Sequence, residues 1–234
     1  MSGNDKSYIR TLLPAVLLFT SLSAMSAGMV PETTLLVLEE SQKGGSITLK
    51  NTDNTPVLLY TTITDLPDDT GTTVNVTQPV VRVEPNQQQQ LRFILQTKDT
   101  LKVEHYKRVV FESIPPKNKN KSAKVNFNIR QDLPILIRPK NLAALPDAWK
   151  FLQWSGSGTT LKVTNPSAYV VRLANTVTFL PSKITGQLTK TYILPGETMN
   201  VTVKTPIKAD NSVLFYPASR YGIEVPDFTA PLTH

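Results

Sequence analysis

The residue types that carry chemistry are few in this chain. It holds two histidines and no cysteine. Without a thiol there is no disulfide, no thiolate metal site and no thiol nucleophile. A nucleophile–His–carboxylate set would have to use His105, because His234 is the chain terminus. No nucleophile elbow accompanies it, and Ser157 in Gly156-Ser157-Gly158 reads as a hairpin turn. Asp65, Asp68 and Asp69 lie close together, but they lack the further oxygen ligands of a calcium loop and read as a solvated loop. No phosphate-binding loop or HExxH pair is present. These features point to a binding protein rather than an enzyme, with no cofactor. The side chains left to do work are arginines. Arg108 and Arg130 each sit on one of two consecutive strands expected to pair antiparallel. Each reads either as a binding cation or as a surface arginine that packs its stem.

Those strands lie within Glu104 to Lys140. The first is Lys107–Phe111, stopped by Pro115-Pro116. A basic loop, Lys117 to Lys121, is too polar to pack. The second strand alternates, with Val125, Phe127 and Ile129 on one face and Asn126, Asn128 and Arg130 on the other. Strict alternation marks a half-buried strand. The apolar face is either sandwich core or an edge offered to another chain.

The chain has 234 residues, a formal net charge of +7 and a pI near 9.5. This length suits one large or two small domains. Short apolar strands at about 8–12 residue spacing, with turn residues between them, predict immunoglobulin-like β-sandwiches. Residues 141–147 read as a passage between two such domains, 28–140 and 141–234. Trp149 and Trp154 are expected on one strand with opposite facings, which argues against an aromatic glycan groove. Residues 1–27 read as a signal peptide. Lys6 and Arg10 precede a short apolar run, and Ala24-Met25-Ser26-Ala27 offers a small-residue cleavage site. The apolar run is shorter than the roughly 18–20 residues of a span. Scattered lysines and the export signal argue against nucleic acid as a partner.

The phrases SITLKNTDNTPVLLY, VRVEPNQQQQLRFIL, Ile114-Pro115-Pro116, Arg138-Pro139, LKVTNPSAYVVRL and YILPGE, in this order, resemble the PapD-like family of periplasmic pilus chaperones. Their order covers nearly all of the chain after residue 27. The resemblance implies an all-β fold of two immunoglobulin-like sandwiches in an L- or boomerang-shaped arrangement. It also implies a periplasmic chaperone that lends the strand bearing Val125, Phe127 and Ile129 to incomplete pilus subunits and passes them to an outer-membrane usher. Two basic residues grip the subunit's terminal carboxylate in that family. Here the first strand reads Glu32-Thr33-Thr34, and Pro134 stands four residues before Arg138-Pro139 where the family has a basic residue. Arg108 and Arg130 are the replacements this sequence offers. By the same resemblance Glu104 and Arg138 belong to an interdomain salt-bridge network. Its third acidic position holds Arg220, so Asp227 is a candidate substitute. Capping of the free edge by a second copy is left open. The competing reading is an exported structural or adhesive two-domain sandwich.

Overall fold

The computed structural model describes residues 28–116, 128–219 and 225–234. Residues 1–27, read above as a signal peptide, and Lys117 to Lys121, Val125, Phe127 and Arg220 lie outside the described residues. The first domain holds β1 (Met29–Pro31), β2 (Leu36–Glu39), β3 (Gly44–Asn51), β4 (Val57–Thr64), β5 (Thr72–Val76), β6 (Val80–Val83), β7 (Gln88–Thr97), β8 (His105–Ile114) and β9 (Ile129–Arg138). The second holds β10 (Gln153–Ser157), β11 (Thr160–Thr164), β12 (Val171–Arg172), β13 (Thr176–Leu180), β14 (Ile184–Leu188), β15 (Tyr192–Ile193), β16 (Thr198–Val203), β17 (Ser212–Phe215) and β18 (Phe228–Thr233). No α-helix occurs among the described residues.

In the first domain the strands run β5-β7-β3-β2-β9-β8-β4-β6, with β1 against β3. The sheet folds over where β2 leaves β3. These two share only the Glu39–Gly44 pair, and β2 then runs parallel to β9. The turn demands glycine. Gly44 has φ 142°, and a Cβ there would sit 2.0 Å from the Phe93 carbonyl oxygen. Folding over brings the two inner faces together. Alternate residues of β3 (Ile47, Leu49), β7 (Leu91, Phe93, Leu95), β4 (Val57, Leu59), β8 (Val109, Phe111) and β9 (Leu133, Ile135, Ile137) form one buried cluster. Period-two apolar patterning on both halves makes this core.

The second domain closes into a ring, β10-β11-β16-β14-β13-β17-β18, shut by the parallel pairing of β10 with β18. Gly156-Ser157-Gly158 is part of the β10–β11 hairpin, as expected. The shared strand expected for Trp149 and Trp154 does not form. Trp149 lies in a short 3-10 turn, Ala148–Phe151, and Trp154 in β10. Trp154 is buried against Phe215, ring centroids 5.3 Å apart. Asp147 stands at the N-terminal end of this turn, and Leu152 alone separates the turn from β10.

Each domain has the same polar pin. Asn51 and Asn165 are both fully buried. The Asn51 amide donates to the carbonyls of Thr55, Val83 and Glu84, and its oxygen accepts the Asp53 N–H. The Asn165 amide donates to Tyr169, Ile193 and Leu194, and its oxygen accepts from Ser167. Each asparagine thus ties the turn that follows its strand to a distant chain segment. Asn51→Ala leaves those buried carbonyls without their donor. It is expected to lower stability by about 2–4 kcal/mol, and Asn165→Ala should do likewise. Urea unfolding followed by tryptophan fluorescence and circular dichroism checks both.

Candidate functional site

The site grows from the β8–β9 ladder. Nine residue pairs run from His105–Ile137 to Ser113–Ile129. One face of this ladder enters the core of the first domain. On the other face Arg108, Val110 and Glu112 lie opposite Pro134, Asp132 and Arg130. Beyond Arg108 that same face carries Tyr106 and Leu136, which are buried against the second domain with Leu35, Val170 and Leu194. Pro134 is tolerated inside β9 because β2 begins pairing only at Ile135. Among the described residues, β9 from Ile129 to Pro134 is thus laddered on one side only.

Arg108 and Arg130 do not converge. They stand four ladder positions apart, about 13 Å along the strands. Arg130 is exposed, 3.9 Å from Glu112, a pair of little energetic weight. Arg108 is half-buried. Its Nε donates to Asp132 Oδ1 at 2.8 Å and its Nη2 to the Asp132 carbonyl at 2.8 Å. Arg108 shares a neighbour, the Tyr106 hydroxyl, with Arg172 from β12 of the second domain. Both guanidinium groups bear on the Tyr106 hydroxyl. Burial raises the Tyr106 pKa above the ordinary 10.0, and Arg172 and then Arg108 pull it back only in part. Burial of Arg108 lowers its own pKa, but Asp132 and then Tyr106 together raise it above the ordinary value. Two permanent cations from two domains therefore meet at one neutral, buried phenol. Such a pair suits a bidentate or bridging anion, a carboxylate foremost.

Arg172 escapes sequence reading because it sits in Val170-Val171-Arg172-Leu173 with no motif of its own. Only the docking of the second domain on the first brings it to the Tyr106 hydroxyl that Arg108 also reaches. Of the three clustered aspartates, Asp65 and Asp68 are exposed, as a solvated loop predicts, and only Asp69 departs from it. All three are ion-paired, and Asp69 is buried. Asp65 Oδ1 lies 2.6 Å from Lys107 Nζ, whose side chain is buried. Asp69 accepts the Tyr106 N–H and pairs with His105 Nδ1. Asp68 pairs with Lys190 of the second domain.

The residues expected between the domains separate likewise. Glu104 does span the joint. Its carboxylate accepts the Val170 N–H at 2.9 Å, and its N–H donates to the Ala168 carbonyl at 2.9 Å. Arg138 pairs instead with Glu39 of its own domain, at 2.9 Å. Asp227 forms no ion pair among the described residues. Ile129, the one described residue of the apolar triplet, pairs with Ser113 at the outer end of β9.

The family descriptions "Pili and flagellar-assembly chaperone, PapD N-terminal domain" and "Pili assembly chaperone PapD, C-terminal domain" match residues 28–143 and 147–229. The chain belongs to the PapD-like pilus-assembly chaperones. It is 47% identical over 215 residues to the fimbrial chaperone YhcA of Escherichia coli K12, covering 92% of this chain and 95% of that one. It is 27% identical to the chaperone protein LpfB of Salmonella typhimurium, covering 70% of this chain and 74% of that one. Its fold is similar to a chain of the Salmonella enterica complex of SafA pilin with the SafB chaperone. The TM-score is 0.73 at 22% identity, covering 90% of this chain and 99% of that chain. It is also similar to the E. coli chaperone DraB, at TM-score 0.69 and 21% identity, covering 87% and 98%. Two immunoglobulin-like β domains and a role in chaperone–usher pilus assembly follow from this membership.

The ionisation of Tyr106 tests the cleft of this chaperone directly. A raised pKa means that its contribution to stability is intact below pH 10 and is lost as pH rises through the folded value. In an alkaline ultraviolet titration Tyr106→Phe should remove one of the late-titrating tyrosines, Tyr192 being another. Arg172→Met should push Tyr106 later still, because a cation that favours the phenolate is gone.

Proposed function

We propose that this chaperone caps periplasmic pilus subunits by lending them the start of β9, and that Arg108 and Arg172 hold the subunit's terminal carboxylate. The observation that carries this reading is the one-sided ladder of β9, which leads from Ile129 to the cation pair between the domains. An extended partner strand can add to such an edge through backbone hydrogen bonds, as chaperones do when they complete a pilin by strand addition. Ile129 supplies one apolar anchor. The sequence alternation places Phe127 and Val125 on the same face. Burying three such side chains is worth about 5–8 kcal/mol, much of it offset by ordering and association costs.

The carboxylate sets the register. A strand whose last residue is held near Pro134 lies alongside Ile129 five positions earlier, about 17 Å away. A slip of one position would turn every apolar side chain to the wrong face. Arg130 lies too far along the ladder to share the carboxylate with Arg108, so its place in this reading is at the rim of the edge. Delivery to an outer-membrane usher completes the pathway. The same edge, free of a subunit, is available to a second copy of the chain.

Co-expression with the pilus subunits encoded alongside it, read by native mass spectrometry of periplasmic extracts, tests the reading. A 1:1 complex is expected. Arg108→Glu and Arg172→Glu should each reduce it at least tenfold, as should Phe127→Asp, whereas Arg130→Glu should lower it less than threefold. A complex indifferent to both Arg108 and Arg172 would remove them as anchors. Absence of any complex would remove the capping role.

A further inference from the structure

Lys190 is where charge crosses the joint. Its ammonium pairs with Asp68 on the β4–β5 loop of the first domain and, at 2.8 Å, with Glu197 Oε1 of the second. It also lies over the Tyr192 ring, 4.4 Å from the centroid. Tyr192 in turn packs on Tyr106, ring centroids 4.7 Å apart. Directly across the two-stranded β12–β15 ribbon from Tyr192 is Arg172. The loop that supplies Asp68 is itself clamped to the start of β8, through Asp65 to Lys107 and Asp69 to His105 and the Tyr106 N–H. Arg108 follows those three β8 residues immediately.

From these contacts we infer that Lys190 is a positioning residue that sets the spacing of Arg108 and Arg172. It does so by bolting the Arg172 ribbon to the aspartate loop that holds the start of β8. The inference rests on the reading of those two arginines as the carboxylate anchor. Each arginine belongs to a different rigid sandwich, so their separation is a property of the joint. The apolar part of the joint is small, five buried side chains among the described residues, and apolar contact is non-directional. An ammonium shared by carboxylates of both domains has direction, and the aromatic pair beneath it transmits that direction to Tyr106. Lys190 is largely shielded from solvent, with 19% of its side chain exposed, so water screens the link less than at an open surface.

The chain contains no cysteine, so one can be placed in each domain at the exposed positions Lys50 and Lys162. Spin labels there, read by pulsed electron–electron double resonance without any subunit, report the interdomain distance. The Lys50→Cys/Lys162→Cys protein should give one narrow distribution. Adding Lys190→Met should widen it at least twofold, Asp68→Asn should do the same from the other side, and Lys190→Arg should restore it. Unchanged circular dichroism in each variant separates a loosened joint from an unfolded domain. In the subunit co-expression assay Lys190→Met should reduce the 1:1 complex at least threefold, with Lys190→Arg again restoring it. A distribution that stays narrow in both Lys190→Met and Asp68→Asn overturns the inference. The anchor reading fails separately, on capture that ignores Arg172→Glu, because the distance measurement involves no subunit.

Discussion

The β8–β9 ladder is the constraint on which everything else hangs. Its inner face supplies Val109, Phe111, Leu133, Ile135 and Ile137 to the first core. Its outer face supplies Tyr106 and Leu136 to the joint with the second domain. Among the described residues, one edge of β9 is partly left without a neighbouring strand. A single antiparallel register therefore fixes three things together: which residues are core, which touch the second domain, and where along the edge the cations stand. Because side chains alternate faces, none of these can shift without the others.

The joint itself shows how two small sandwiches can be held at a defined spacing without a large shared core. Its apolar contacts are few, and directional groups surround them. Glu104 is hydrogen-bonded to the backbone of Ala168 and Val170, Asp68 is paired with Lys190, and Tyr106 is stacked on Tyr192. Interfaces of this mixed kind permit domain motion unless something specific opposes it. The polar groups are that specific element. They also explain a feature that is costly by itself, the burial of Lys107 at the start of β8. Its charge is compensated by Asp65 on the same loop that reaches the second domain.

Sequence and structure agree where the signal is local. Strand alternation and turn residues are of that kind, and they mark β3, β4, β8 and the first hairpin of the second domain. The apolar signal is weaker for Thr72–Val76, Thr176–Leu180 and Ile184–Leu188, which carry few consecutive apolar residues and are held as strands by their pairing with neighbours. The aromatic run Trp149 to Trp154 looks like one strand because its side chains alternate in character. The structure splits it, since the entry into the second domain must turn before the barrel begins.

What the sequence by itself determined is the fold class and the family. These rest on short-range patterns: period-two hydrophobicity, prolines at strand ends, and the asparagine turns repeated in both domains. The buried Asn51 and Asn165 show why those turns are written as they are. What only the tertiary structure decided is which charged side chains the two domains bring near one another. Arg172 lies far from Arg108 in the chain, and Lys190 far from Asp68. Each pair is brought near because two separately folded sandwiches are docked. Side-chain convergence across a domain joint depends on the position of whole rigid bodies, and no local pattern encodes it.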